Sequence, residues 1–350
     1  MLACMGALIF PFAMFGVALA VLLAAIPLAR RSGFVDWPGG RKDHLEGVPP
    51  IGGLVVFIVF VIALGIGGLL NREMVLMLAG AGAIGAVGLY DDWRGMNPWV
   101  KFAAQIIVAC YLVLFAGAEL RVLGDMFGFG ELGLNIFTVP FCVAALVLLM
   151  NAMNMMDGLD GLAGGIATII LGWFACAAAQ SGQGALAAQI TGAIAPLLAF
   201  LTLNLRHPLN ARARVFLGDA GSLMLAVIIG WFAIRLAQEE PVQAIAPIGV
   251  AWLLAVPVID ALAVFFIRAR RGAHPFAADR NHLHHRFMDR GVSPEWTVAV
   301  ILGACALCGF AGVVLPVAGV PLFALTYAWM AAAVIYVAVG ARGGAVRRFS

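Results

Sequence analysis

Long apolar stretches recur along the whole of this 350-residue chain, and short polar segments separate them. Each stretch is close to the ~20 residues that an α-helix needs to cross the ~30 Å hydrocarbon layer of a bilayer. Hydrophobic residues make up 63% of the chain and charged residues 11%, whereas soluble proteins average about 25% charged. No water-soluble core could bury so much apolar surface, and an open sheet cannot satisfy its backbone in lipid. The sequence therefore predicts an all-α, polytopic transmembrane helix bundle.

About eleven membrane spans are predicted, within a single integral membrane domain that covers residues 1–350. The predicted spans are residues 7–28, 51–70, 74–90, 99–117, 135–150, 162–180, 185–203, 216–234, 244–267, 296–316 and 320–340. Arg30 and Arg31 follow the first span and no basic residue precedes it, the reverse of the charge order of a secretory signal, so we expect it to be retained. The six cysteines lie in or beside the spans, where a free thiol behaves as a small hydrophobic group.

The distribution of basic residues predicts the orientation of the bundle. With the N-terminus outside and the C-terminus in the cytoplasm, all but three of the 21 Lys and Arg residues fall in inner loops. The exceptions are Arg72, Arg121 and Arg235. Cytoplasmic loops of membrane proteins carry such an excess of positive charge. We therefore expect the polar chemistry at the cytoplasmic face; the net charge of +3 follows from this topology and gives no reason to expect nucleic acid binding.

Adjacent carboxylates, Asp91 and Asp92, end the third predicted span in the segment GLYDDWRG. Lys101 and Gln105 follow at the start of the fourth span. Two neighbouring carboxylates at a membrane edge repel each other and resist desolvation, so they require a cation or a bound proton. The alternative is an ordinary solvated helix end.

A second segment, NAMNMMDGLDGLAGG, places four polar residues among glycines between two spans. Glycines let the backbone approach a ligand closely, and the N-terminus of the following helix suits an anion. Asn151, Asn154, Asp157 and Asp160 could there recognise a ribose, a base or a metal. The alternative is helix capping by one aspartate together with close helix packing, which explains one acid but hardly four polar residues.

The third segment, RVFLGDAGSLMLA, places Asp219 at the start of the eighth span, where it is either a functional carboxylate or an N-cap. Together with the acids of the other segments it offers enough hard oxygen ligands for Mg²⁺. Because Mg²⁺ commonly uses one or two protein carboxylates and completes its shell with water and phosphates, a phosphate-containing substrate is expected.

The fourth segment, HPFAADRNHLHHRFMDRG, lies in a basic inner loop and carries Arg280, His282, His284 and His285. Such a segment could clamp a phosphate or diphosphate, bind zinc, act as a pH switch or lie against anionic lipid heads. The cationic surroundings and the absence of a neighbouring cysteine in the sequence favour the anion clamp.

Two weaker signals lie elsewhere in the sequence. Lys42 and His44 belong to the first inner loop, where they either meet a lipid phosphate or only follow the topology. Asp260 lies within the ninth span, where an unpaired charge is costly, so we expect it to face the bundle interior beside a partner that the sequence does not identify.

Taken together, these segments resemble the polyprenyl-phosphate N-acetylhexosamine-1-phosphate transferases, the WecA/MraY group. The resemblance rests on RKDHLEGVPPIGG, GLYDDW with the following Lys101, NAMNMMDGLDGLAGG, VFLGDAGS and DRNHLHHRFMDRG, in the order of that family and over nearly the whole chain. The HLHH form with a preceding DR, and RKDH in place of a Lys-Gly-Thr-Pro pattern, are nearer to the WecA and teichoic-acid branch than to the muramyl-pentapeptide branch.

The resemblance implies an enzyme that transfers an N-acetylhexosamine 1-phosphate, foremost GlcNAc 1-phosphate, from a UDP-sugar to undecaprenyl phosphate. The transfer would occur at the cytoplasmic face of the bacterial inner membrane, release UMP and begin a cell-envelope glycan. The implied cofactor is Mg²⁺, with Mn²⁺ as the alternative ion, and a homodimer is usual in similar proteins. The alternatives are the muramyl-pentapeptide branch and an ion-coupled transporter.

The same resemblance implies roles for individual residues. Asp219 matches the principal Mg²⁺ ligand, and Asp91 and Asp92 match a carboxylate pair assigned to the metal or to the lipid phosphate, so these three are the expected catalytic residues. The positions expected to bind substrate are Lys42, His44, Lys101, Asn151, Asn154, Asp157, Asp160, Arg280, His282, His284 and His285.

Overall fold

The computed structural model describes residues 2–36, 47–238, 242–272 and 282–343. The helices are α1 (Leu2–Arg31), α2 (Gly52–Ile66), α3 (Arg72–Arg94), α4 (Pro98–Phe115), α5 (Thr138–Met156), α6 (Leu162–Gln180), α7 (Gly184–Asn204), α8 (Gly218–Ala237), α9 (Pro247–Leu253), α10 (Ala255–Arg270), α11 (Leu283–Met288), α12 (Pro294–Val317) and α13 (Leu322–Gly343). These ranges contain isolated β-bridges but no β-strand. The prediction of an all-α fold is therefore confirmed.

The number of spans agrees with the sequence, with one correction. Among the described residues, nine helices are long and apolar enough to cross a membrane, α9 and α10 form a further bent pair, and α2 is apolar but only 15 residues long. Each predicted span therefore coincides with a helical segment. One of these segments is not straight. Residues 244–267 are predicted as one continuous helix, but the chain bends by 76° between α9 and α10. Pro257 explains the break, since its ring would clash with the carbonyl of Leu253 in a continuous helix.

Helix α8 forms the centre of the bundle. It packs against α2, α3, α5, α6 and α9, and nearly all of its residues are buried, including Trp231 and Phe232. Apolar residues occupy every side of this helix, as expected for a helix surrounded by others. The start of α8, which carries Asp219, is therefore held inside the protein.

Small residues bring the start of α8 against two other helices. A Cβ atom at Gly53 would collide with the backbone of Gly221, and a Cβ atom at Gly88 would lie 2.5 Å from the backbone nitrogen of Ala220. Small residues at such positions let membrane helices approach until their backbones touch. At these two points the backbone of α8 touches those of α2 and α3 with no side chain between them, which places the end of α3 beside the start of α8.

The polar segments meet at one end of the bundle. The last turns of α3 and α5 and the first turns of α4 and α8 are joined by side-chain hydrogen bonds, and the start of α6 follows directly from α5. The predicted convergence of distant segments is therefore confirmed for the described residues. The predicted orientation, with this end in the cytoplasm, stays a prediction.

Candidate active site

Lys101 joins two of the predicted carboxylates. Its Nζ atom lies 2.9 Å from Oδ2 of Asp91 and 2.5 Å from Oδ2 of Asp219. The lysine lies in the first turn of α4, where Asn97 caps the helix by accepting the backbone N–H of Trp99 at 2.9 Å. Three helices thus each contribute one charge, and a single cation holds together two groups that would otherwise repel each other.

Asn154 holds the other side of the Asp219 carboxylate. Its Nδ2 atom donates to Oδ1 of Asp219 at 2.7 Å and lies 3.0 Å from the hydroxyl of Ser222, which is fully buried on α8. The Ser222 hydroxyl in turn donates to the main-chain carbonyl of Asp219 at 3.2 Å. Because α4 holds one oxygen of Asp219 and α5 holds the other, the orientation of this carboxylate is fixed by the fold.

Asp92 takes a different position from its neighbour. Its Oδ1 and Oδ2 atoms accept the backbone N–H groups of Asp219 and Ala220 at 2.9 and 3.2 Å. The first N–H groups of a helix have no partner within that helix, and Leu217 at the N-cap of α8 supplies no side-chain acceptor. Asp92 therefore caps α8 from a neighbouring helix. The interpretation of Asp219 as an ordinary N-cap is wrong, because its carboxylate contacts Lys101 and Asn154 instead.

Asp157 and Asp160 lie in the turn between α5 and α6. Asp160 forms an ion pair with Arg206, whose Nε atom lies 2.7 Å from Oδ2. Burial and the negative charges of Asp219, Asp92 and Asp160 raise the pKa of Asp157 well above its usual value. A carboxyl group surrounded by other carboxylates is stabilised in its charged form by a cation, so this turn favours a positively charged ligand.

Asn204 holds the backbone of the same turn. Gly161 has a φ of +83°, a left-handed conformation that favours glycine, and its N–H donates to Oδ1 of Asn204 at 2.7 Å. The Nδ2 atom of Asn204 donates to the carbonyl of Val215, in the segment that leads to α8, at 2.9 Å. Asn204 therefore ties the turn that carries Asp157 to the segment that carries Asp219.

The predicted histidines lie at and just before the short helix α11. His282 Nδ1 lies 2.9 Å from Oδ2 of Asp260, so this histidine is a partner of the buried carboxylate for which the sequence identified none. His284 is 1% exposed and lies against Gly158, where a Cβ atom would be 2.5 Å from its Nε2. The ring of His285 lies 4.2 Å from that of His284. The histidine segment therefore meets the turn between α5 and α6 that carries Asp157 and Asp160, called the aspartate turn below. This agrees with the predicted common site.

The predicted substrate contacts of four further residues stay untested. Lys42, His44 and Arg280 lie outside the described residues. Asn151 is described, but its amide donates to Gln105 Oε1 at 2.7 Å and to a carbonyl of its own helix at 2.8 Å, which links α5 to α4. A contact of Asn151 with substrate stays a prediction, whereas its contact between helices is observed.

Sequence reasoning missed Asn204, Arg206 and Tyr336, the last of which donates its hydroxyl to Oδ1 of Asp260 at 2.5 Å. In the sequence, Arg206 is indistinguishable from the other inner-loop basic residues, whose positive charge is explained by topology. Asn204 ends an apolar helix and Tyr336 lies within another. A polar side chain in an apolar stretch is the signal that could have identified these two, because it needs a partner there.

The carboxylates fit a divalent cation, although they are not arranged as a complete metal site. Within the described ranges, no group of three or more histidine, cysteine or carboxylate side chains surrounds a common metal position. Asp91 and Asp219 nevertheless share one cation, the Lys101 ammonium. Two carboxylates completed by water and phosphate oxygens are a usual protein contribution to Mg²⁺. Asp91 and Asp219 therefore fit the part of ligands, because each already turns one oxygen toward a cation, whereas both oxygens of Asp92 accept backbone N–H groups of α8.

Known proteins resemble this chain across the region that builds the site. The family model described as "Glycosyl transferase family 4" matches residues 74–237, from near the start of α3 to the end of α8. A protein of Yersinia pestis named undecaprenyl-phosphate alpha-N-acetylglucosaminyl 1-phosphate transferase is 32% identical over 296 residues, which are 85% of this chain and 80% of the relative. Proteins of the same name from Escherichia coli (strain K12) and Haemophilus influenzae are 31% and 30% identical over 83% of this chain, and over 79% and 82% of their own lengths.

Proposed function

Since the chain belongs to glycosyl transferase family 4, together with undecaprenyl-phosphate N-acetylglucosaminyl 1-phosphate transferases, we propose that it transfers GlcNAc 1-phosphate from UDP-GlcNAc to undecaprenyl phosphate. The products are UMP and a lipid-linked diphosphate sugar, the start of a cell-envelope glycan. The observation that carries this proposal is the cluster of Asp91, Lys101 and Asp219, contributed by three helices at one end of a membrane bundle.

The position of the cluster suits a reaction between a water-soluble donor and a lipid acceptor. A nucleotide sugar reaches the site from water, while a polyprenyl phosphate holds its chain in the bilayer and its phosphate at the interface. A site at the end of a helix bundle meets both. We assign this end to the cytoplasmic face of the bacterial inner membrane, because the basic loops on this side obey the positive-inside rule.

We propose Mg²⁺ as the cofactor, held by Asp91 and Asp219. When bound, it would offset the negative charge of the diphosphate, as metal ions do in other phosphoryl transfers. Asp92 would set the position of Asp219 through the backbone of α8, and Asn154 would keep the second oxygen of Asp219 oriented.

The proposed reaction is a direct in-line displacement. An oxygen of the lipid phosphate attacks the β-phosphorus of UDP-GlcNAc, a new P–O bond forms, and the bond from that phosphorus to the bridging oxygen breaks, so that UMP leaves with this oxygen. A phosphate monoester has a second pKa near ~6, so the attacking group is largely ionised at neutral pH. Asp91 would position it or accept its residual proton, and the Lys101 ammonium would offset charge in the transition state.

The activity is tested with purified protein in detergent. We expect UMP release with UDP-GlcNAc, undecaprenyl phosphate and Mg²⁺, and a loss of about 10²-fold or more in Asp219→Asn, because an oriented charge at the reaction centre is removed. Asp125→Asn is the matched control, since Asp125 is exposed and remote from the site. No UMP release by the wild type with any of UDP-GlcNAc, UDP-GalNAc or related UDP-sugars would refute the proposed function.

A second measurement separates direct transfer from a two-step route through a phospho-aspartate. Direct transfer predicts that labelled UMP does not exchange into UDP-GlcNAc when the lipid is absent. Exchange without lipid, abolished in one of the aspartate variants, would establish the two-step route and refute the direct one.

A further inference from the structure

Three donors converge on Asp260, a carboxylate within the membrane helix α10. Its Oδ2 atom lies 2.9 Å from His282 Nδ1, and its Oδ1 atom accepts the backbone N–H of Leu283 at 2.9 Å and the hydroxyl of Tyr336 at 2.5 Å. The residue is 1% exposed. Because a charge buried in a membrane bundle is costly without partners, these contacts are what allow an aspartate at this position. They join α10, the start of α11 and α13.

The contact with Asp260 also orients the ring of His282. The other two partners of Asp260 are donors and a carboxylate oxygen is an acceptor, so the contact is satisfied with Nδ1 of His282 as the donor, and the ring is held with this nitrogen toward α10. His282 is 7% exposed. Its ring therefore belongs to the protein interior, where it makes a directional contact with a fixed partner.

His284 connects His282 to the aspartate turn. The rings of His282 and His284 are parallel to within 6°, with their centroids 5.9 Å apart. His284 lies against Gly158, which follows Asp157 in the turn between α5 and α6. A continuous series of contacts therefore runs from Asp260 to the site.

The start of α11 lies beside Asp260 and not beside the end of α10. Asp260 lies ten residues before Arg270, the last residue of α10, which corresponds to about 15 Å of α-helix. The start of α11 is therefore held about that far back along the helix axis, and Asp260 supplies the hydrogen bonds that hold it there.

We propose that Asp260 is a positioning residue that seats α11 against the aspartate turn, and that His282 is the anchor of this contact and does not bind the substrate. The inference rests on the proposed function, because it assigns a task within the same site. It replaces the expectation from the sequence that His282 contacts the substrate. Both residues lie outside the segment that the family model matches.

Two amide substitutions at His282 distinguish an anchor from a substrate contact. The side-chain amide of asparagine can place an N–H near the position of Nδ1, whereas that of glutamine reaches the position of Nε2. His282→Asn therefore keeps a donor for Asp260, while His282→Gln removes it and leaves a polar group at the far edge of the ring. Neither variant carries a charge, so the pair differs chiefly in where the amide lies.

The measurement uses the full-length protein with UDP-GlcNAc, undecaprenyl phosphate and Mg²⁺. We expect His282→Asn to keep a kcat close to that of the wild type and His282→Gln to lose about 10- to 100-fold in kcat, as when a partner that orients a ligating histidine is removed. The KM for UDP-GlcNAc should change little in either variant, because neither loses a contact that binds the substrate and the transition state equally. The anchor role of His282 would be overturned if His282→Gln kept a higher kcat than His282→Asn, or if both variants lost or kept kcat to the same extent. A rise in KM as the main effect would overturn it as well.

A spectroscopic measurement tests the contact independently of activity. In wild-type protein labelled with ¹⁵N-histidine, one side chain should show a protonated Nδ1 hydrogen-bonded to a carboxylate. This signal should vanish in His282→Asn and change in Asp260→Asn. If the signal is present but the wild type releases no UMP, the proposed function fails and the contact stands; if UMP is released and the signal is absent, the inference alone fails.

Discussion

At the scale of single residues, the Lys101 ammonium is what lets Asp91 and Asp219 lie close together. In Lys101→Met we expect UMP release to fall about 10²-fold or more, because the charge that offsets the diphosphate is lost. The remaining carboxylates would repel each other, so the melting temperature in EDTA should fall and should recover with Mg²⁺ more than in the wild type.

Arg121→Met is the control for Lys101→Met. Arg121 is largely exposed and pairs with Glu119 in the loop between α4 and α5, and surface ion pairs contribute little to stability. This variant should resemble the wild type in activity and in its response to Mg²⁺. A response of Lys101→Met to Mg²⁺ equal to that of the control would contradict the shared-cation interpretation.

Gly158 has to lack a side chain because His284 lies where a Cβ atom would be. Gly158→Ala should therefore displace His284 or the aspartate turn and lower kcat, while the overall fold is retained. Gly172→Ala is the matched control, since nothing lies within 4 Å of a Cβ atom at this helical position and alanine is favoured in helices by about 1 kcal/mol over glycine. Equal activity of the two variants would show that the close approach of His284 is not needed.

The raised pKa of Asp157 predicts how stability depends on pH in the absence of divalent cations. The folded protein binds this proton more tightly than the unfolded chain, in which the pKa is about 4. The contribution to the free energy of unfolding is therefore fully present below about pH 4 and is lost as the pH rises through the raised pKa of the folded state.

Asp157→Asn should remove this loss of stability at higher pH. In EDTA, its melting temperature should match the wild type at low pH and exceed it increasingly as the pH rises, because the amide is not repelled by Asp219 and Asp92. Asp160→Asn, which loses the ion pair with Arg206, should instead be less stable than the wild type at neutral pH. A constant difference between Asp157→Asn and the wild type across the pH range would contradict the raised pKa.

At the scale of helices, α8 depends on a cap that another helix supplies. Asp92→Ala should lower the free energy of unfolding by about 0.5–2 kcal/mol, the usual cost of a lost cap. It should also lower UMP release, because the capped turn carries Asp219. Asp92→Asn keeps one acceptor oxygen and should lie between Asp92→Ala and the wild type in thermal unfolding.

Asn71→Ala is the control at this scale. Asn71 caps α3 by accepting the backbone N–H of Met74 at 2.8 Å, away from the carboxylate cluster. The two alanine variants should lose similar stability, but Asn71→Ala should keep its activity. If Asp92→Ala unfolds at the wild-type temperature, the capping role of Asp92 is wrong.

Helix positions could be predicted because each span has to be apolar over a nearly fixed length, and that requirement is local in sequence. The bend between α9 and α10 could not, since apolar composition reports the length of a span and not its direction, and a proline alone does not mark a break, because Pro196 lies inside the continuous helix α7. The role of Asp92 was equally hidden. Its sequence neighbour Asp91 binds a lysine, whereas Asp92 itself binds the backbone of a helix more than 120 residues later, and only the packing of α3 on α8 separates the two roles.

At the scale of the whole molecule, the sequence predicted which segments meet but not which partners their side chains choose. The positive-inside rule places four distant polar segments on one face, and this sufficed to predict the meeting of Asp91, Asp157 and Asp219. The pairing of Asp260 with His282 joins α10 to the start of α11 across 22 positions in sequence, which no local pattern encodes.

The orientation of the bundle gives the prediction for the whole molecule. Arg94→Cys and Glu131→Cys place exposed thiols at opposite ends, at the last residue of α3 and in the loop before α5. In intact cells, a membrane-impermeant maleimide should label Glu131→Cys and should label Arg94→Cys only after the membrane is opened, with the unsubstituted protein measured as the background. The opposite pattern would invert the orientation and place the carboxylate cluster outside.

The glycine contacts at Gly53 and Gly88 have a mechanical consequence for the site. Where backbones touch directly, no rotamer can yield, so the height and rotation of the start of α8 are set by the axes of α2 and α3. The backbone of Asp219 belongs to this contact and can change its place only when an entire helix moves, while Lys101 and Asn154 hold its side chain. In the proposed reaction the carboxylate is therefore a fixed point, to which the donor and the lipid would have to bring their phosphates.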